Sequence, residues 1–129
     1  MDTSVVLRLL TGEPEAQARR ALAEMRARIV NGDAVCVSDL VVSEVYFALQ
    51  YHYGVAKAET LRLLRTFLAE PGVRSTGAAA AVLATPGLAT ADPGFVDRLI
   101  HAEYRRLAGE MLTFEKSAKG LPGVRVLMA

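Results

Sequence analysis

Short apolar runs alternate along this chain with longer stretches punctuated as helices. The runs are AVCV at 34–37, VRST at 73–76, EMLTF at 110–114 and VRVL at 124–127. The alternation predicts an α/β layer fold with a mostly parallel sheet, because parallel strands need long crossovers and a helix is the usual one. The intervening stretches carry helix start and stop signals. Thr3 or Ser4 is expected to cap a helix running to Leu10. Pro14 suits the first turn of the segment GEPEAQARRALAEMRARIVNGD, and Gly32 follows its last periodic residue. Ser38 is expected to cap a helix closed by Gly54. Another spans 55–70, stopped by Pro71 and Gly72, and the alanine-rich stretch 77–85 reads as helix ended by Pro86 and Gly87. Asp92 is expected to cap a last long helix, with Pro93 at its first position and Leu107 near its end; residues 117–119 form at most a helical turn. No linker, repeat or low-complexity segment interrupts the pattern, so residues 1–129 are expected to form a single domain.

Hydrophobic residues make up 52% of the chain and charged residues 22%, enough apolar material for a core and too little charge for a disordered chain. Fifteen Lys and Arg balance fourteen Asp and Glu, for a net charge of +1. A bulk basic charge for nucleic acid is therefore excluded, although a local basic patch is not. The single cysteine, Cys36, rules out an intramolecular disulfide and fits a cytoplasmic setting. No apolar stretch approaches the ~18–20 residues of a membrane helix. The start MDTSVVLRLL has no cationic leader, so no signal peptide is expected. Zinc-type Cys/His spacing and glycine-rich phosphate loops are both missing.

In open α/β sheets ligands bind beyond the carboxyl ends of the strands. Four acidic residues are expected there: Asp2 before the first helix, Glu44 early in the helix after AVCV, Asp97 in the first turns of the Asp92 helix, and Glu115 directly after EMLTF. Glu44 falls within an apolar stripe of Leu40, Val41, Val45 and Ala48, so its carboxylate is expected to point inward, where it needs a cation, a proton or an arginine. Each acid also has a structural explanation, as a cap, a helix-dipole partner or a surface turn residue. Together in one crevice they would repel unless a hard cation sat among them, and such oxygen ligands suit Mg²⁺ or Mn²⁺. His52, between two tyrosines, reads as exposed or capping. His101 can bond Asp97 or face solvent. Cys36 reads as a small buried apolar group. Tyr46, Phe47, Tyr51 and Tyr53 read as core or dimer surface rather than a base-stacking platform.

These residues resemble the PIN domain, and within it the toxin ribonucleases of the VapBC type. DTSVVLRLL is similar to the opening motif of that family. VSDLVVSEVYFAL resembles the second, with Glu44 as its glutamate. DPGFVDRLIHAEYRR resembles the third, with Asp97 as its aspartate, and LTFEKSAKGLPGVRVL resembles the closing motif. The resemblance implies a three-layer α/β/α domain with a mostly parallel central sheet. It further implies an acidic crevice of Asp2, Glu44, Asp97 and Glu115 that binds Mg²⁺ or Mn²⁺ and hydrolyses RNA, with Thr3 or Ser4 steadying Asp2 and Arg98 or Lys116 meeting the RNA backbone. A small antitoxin and a homodimer are the partners implied. The chain departs from the family pattern at three places. Glu115 stands for the usual aspartate, Ser117 for a further acidic residue, and only Met1 precedes Asp2, so the first strand is expected to be truncated or missing. These departures keep open a degenerate PIN-like protein that binds a partner or RNA without cutting. A receiver-like signalling domain would want an adjacent acidic pair where Asp2 stands alone.

Overall fold

The helical segments form where glycine, proline and capping residues bound them. The computed structural model describes residues 1–128; Ala129, last in the expected single-domain span, lies outside the described residues. Helices α1 (Thr3–Thr11) and α2 (Glu15–Val30) lead to β1 (Val35–Val37), α3 (Asp39–Tyr51), α4 (Lys57–Leu68), β2 (Val73–Ser75) and α5 (Ala79–Leu83). A 3₁₀ turn at Leu88–Thr90 precedes α6 (Phe95–Leu107), and β3 (Met111–Thr113), a 3₁₀ helix at Lys116–Gly120 and β4 (Val124–Val126) follow. Ser38 caps α3 as expected, its Oγ accepting from the Val41 N–H at 3.2 Å. Asp92 does not cap α6. Gly94 flanks that helix without a side-chain bond, and Arg98 Nε donates to the Pro93 carbonyl at 2.7 Å, bracing the turn from inside the helix.

Both strand pairs are parallel. β1 pairs with β2, Val35 opposite Val73, and β3 pairs with β4, Met111 opposite Val124. The expected single central sheet is instead two separate two-stranded sheets. Among the described residues no strand joins the two pairs, and Asp2 directly flanks α1. In a parallel pair alternate residues turn their peptide groups toward the partner. Val35 and Val37 face β2, and Cys36 faces away. The Met1 amine fills part of that edge by donating to the Cys36 carbonyl at 2.7 Å. Cys36 itself is exposed rather than buried, correcting the expectation of a core thiol.

The core gathers Val6 of α1, Val37 of β1, the α3 stripe Val42, Val45 and Leu49, Leu61 and Leu64 of α4, Leu83 of α5 and Phe95 of α6. Tyr46 crosses from α3 to meet Phe95 edge-on, ring centroids 5.1 Å apart. Asp39 reaches across to the start of α5, where its carboxylate accepts from the Ala78 and Ala79 N–H groups at 2.9 and 3.0 Å. Gly77 is required there, since a Cβ would collide with the Asp39 carboxylate. Sheet β3–β4 lies outside this core and leans on α6. Gly123, at φ +67°, brings β4 against the Gly109 carbonyl, which a Cβ would strike.

Candidate functional site

Asp2, Asp97 and Glu115 stand near the end of an element and Glu44 in the middle of α3, and all four are exposed. Asp2 Oδ1 accepts from the Ser4 hydroxyl at 2.7 Å and the Val5 N–H at 3.1 Å, leaving Oδ2 without a bond among the described residues. The Ser4 hydroxyl, and then the Val5 amide, hold this carboxyl below the ordinary aspartate range. A carboxylate whose pKa is lowered by folding stabilises the fold above its unfolded pKa and loses that contribution as pH falls through the folded value. Asp2→Asn should keep the cap, since asparagine caps as well as aspartate. It should also remove this acid-side slope, as read from thermal denaturation between neutral pH and about pH 3. An unchanged slope would show that the two bonds do not hold the charged form.

Glu44 does not point into the core. The buried face of α3 is Val42, Val45, Tyr46 and Leu49, and Leu40, which seemed to anchor an inward stripe, is 71% exposed. Glu44 therefore lies on the solvent side of α3. Thr3 opens α1, but Ser4 supplies the hydroxyl that steadies Asp2. His52 is exposed and caps the end of α3, which closes there and not at Gly54. His101 bonds neither Asp97 nor solvent alone: its Nε2 lies 2.6 Å from the Pro122 carbonyl, so the ring donates to the turn before β4. Arg98, engaged with Pro93, braces α6, whereas Lys116 remains exposed.

Asp97 and Glu115 come together. Both line a pocket of about 260 Å³ between α6 and β3, with Ile100, Tyr104 and Thr113 on its walls. Thr113 was not singled out from the sequence, yet its hydroxyl accepts from the Glu115 N–H at 2.9 Å and fixes the bend that presents Glu115. Among the described residues no lysine, arginine or histidine lines this pocket, so the two carboxylates have no internal counter-charge. Asp2 and Glu44 do not line it. Their helices are nonetheless linked to it through packing, since α1 rests on α3 and Tyr46 of α3 meets Phe95 at the start of α6. Among the described residues no group of three or more His, Cys, Asp and Glu stands close enough to hold a metal ion. Two carboxylates and a hydroxyl still fit Mg²⁺, which commonly takes one or two protein carboxylates and keeps several waters.

The chain matches the family described as PIN domain over residues 1–121. Comparison with curated proteins and with solved structures gives no match. The chain belongs to the PIN domain family, and its helices with short parallel strands are the α/β architecture that membership implies. PIN domains are generally nucleases that use divalent metals, and many are toxins of toxin–antitoxin systems. Among the described residues no helix is long and apolar enough to cross a membrane.

Proposed function

We propose that this chain is a metal-dependent endoribonuclease, the toxin of a toxin–antitoxin pair. Asp97 and Glu115 would hold Mg²⁺ or Mn²⁺, and Asp2 and Glu44 would complete the acidic set from α1 and α3. The observation that carries this reading is the shared pocket of Asp97 and Glu115, unneutralised by any cation in its lining. Held by Asp97 and Glu115, a divalent ion would supply Lewis acidity for water activation and for charge on the phosphate. The protein's own part is positioning. Thr113 fixes Glu115, the first turn of α6 presents Asp97, and Ser4 keeps Asp2 ionised.

The partners follow from exposed surface. A hollow of about 580 Å³ between α1, α2 and β1, walled by Val5, Ala21, Met25 and Val35 with Arg8 and Arg20 beside them, suits a small antitoxin. Leu40, Phe47 and Tyr51 form an exposed stripe at i, i+7 and i+11 on α3, with the last two rings stacked at 6.2 Å, and suit a second copy. The reading places a single domain in the cytoplasm.

Purified protein should cleave single-stranded RNA with Mg²⁺ or Mn²⁺ and lose that activity in EDTA; full cleavage in EDTA would defeat the mechanism. The second reading, a non-cutting PIN-like binder, is favoured by one observation, that Asp2 and Glu44 stand outside the Asp97–Glu115 pocket. Failure of the antitoxin-free protein to cleave with either ion would establish it.

A further inference from the structure

We infer that the groove over β4 is a lane for the backbone of single-stranded RNA, beginning beside the acidic pocket. The choice of RNA rests on the ribonuclease reading above. The groove, about 580 Å³, is lined by Lys116, Lys119, Val124, Arg125, Val126 and Met128, with no acidic residue among them. Elsewhere glutamates on the same helix neutralise arginines: Arg19 meets Glu15, Arg20 and Arg28 meet Glu24, and Arg62 meets Glu59. Among the described residues the three groove cations have no such partner; Arg26, Arg65, Arg74 and Arg106 also have none, and the groove differs in gathering three such cations in one lining without an acid. Lys116 directly follows Glu115, so the basic lane opens where the acidic pocket ends.

The strand edge adds fixed donors. The Met111 N–H bonds the Gly123 carbonyl and the Leu127 N–H bonds the Thr113 carbonyl, so Gly123, Arg125 and Leu127 turn their peptide groups toward β3. Alternation then turns the Val124 and Val126 N–H groups outward into the groove. Backbone amides and cations are the groups that take phosphate oxygens. Phe114, 67% exposed, stands just past β3 and two residues before Lys116. An exposed ring so near the start of a basic groove is one a splayed base can stack on. An acidic extended peptide adding to the β4 edge would use the cations and amides but leave Phe114 idle.

The test uses a fluorescent oligouridylate in EDTA, where binding is read without cleavage. Lys116→Gln/Lys119→Gln/Arg125→Gln should weaken binding at least about tenfold at low salt and reduce the log–log salt slope by about 2, near 0.7 per lost phosphate contact. Arg19→Gln/Arg26→Gln, two exposed charges lost from α2 outside the α1–α2 hollow, should alter neither. Lys116→Arg/Lys119→Arg should keep the slope, and Phe114→Ala should weaken binding roughly fivefold or more with the slope unchanged. An unchanged slope in the first variant, an equal loss in the α2 variant, or polyglutamate bound as tightly as RNA would each overturn the lane. A slope that falls while the wild type never cuts RNA with metal supports the lane and defeats the ribonuclease reading. Metal-dependent cutting with an unchanged slope does the reverse.

Discussion

Truncating Phe95 to alanine should destabilise the protein by about 3–5 kcal/mol, a large share of the ~5–15 kcal/mol that holds a domain of this size together. Phe95 is 1% exposed and meets Tyr46 edge-on, so its removal opens a cavity between α3 and α6 that rigid neighbours cannot fill. The position also couples fold to function, because Phe95 opens the helix that presents Asp97 two residues later. Phe114→Ala is the matched comparison. That ring is 67% exposed, and its loss should change stability by no more than about 0.5 kcal/mol. Urea unfolding of the two variants checks the contrast. Similar losses would show that the α3–α6 contact is not the centre of the core.

Asp97→Asn should lower metal-dependent RNA cleavage on the order of 10²-fold or more while leaving the fold intact. Its side chain is exposed at the first turn of α6, and the substitution keeps its shape. The structural loss is one favourable charge at a helix N-terminus, about 0.3–1 kcal/mol. A fall in cleavage matched by a fall in melting temperature would make Asp97 a structural residue. Unchanged cleavage would move the chemistry away from this pocket.

The elements were legible because their boundaries are written in local chemistry. Ser38 caps α3, α4 stops at Leu68 shortly before Pro71 and Gly72, and valines mark VRS and VRV where β2 and β4 form. The facing of α3 was not legible. Leu40 and Val41 look like the start of a buried stripe, but α3 buries Val42, Val45, Tyr46 and Leu49, and only its neighbours α1 and α4 decide that rotation. Glu44 was turned to solvent by the same choice. AVCV is apolar throughout, yet side chains alternate along a strand, so β1 buries Val35 and Val37 and turns Cys36 to an uncovered face. His101 was misread because its partner, Pro122, lies 21 positions away across a turn. Asp39 and its two amides at the start of α5 are a longer-range case of the same limit. At the site, all four acids were expected in one crevice; Asp97, in the first turn of α6, and Glu115, just past β3, line one pocket. The separate positions of Asp2 and Glu44 depend on how α1 and α3 pack, which no local pattern encodes.

The central claim is that the pocket between α6 and β3 holds the cation on which RNA cleavage depends. Titration of the isotopically labelled protein with Mn²⁺, followed by paramagnetic broadening of backbone amide signals, tests it most directly. Amides flanking Asp97 and Glu115 should broaden first, and Asp97→Asn should remove this effect. Broadening that starts at the α2 glutamates Glu15 and Glu24, with the Asp97 and Glu115 amides unchanged, would contradict it.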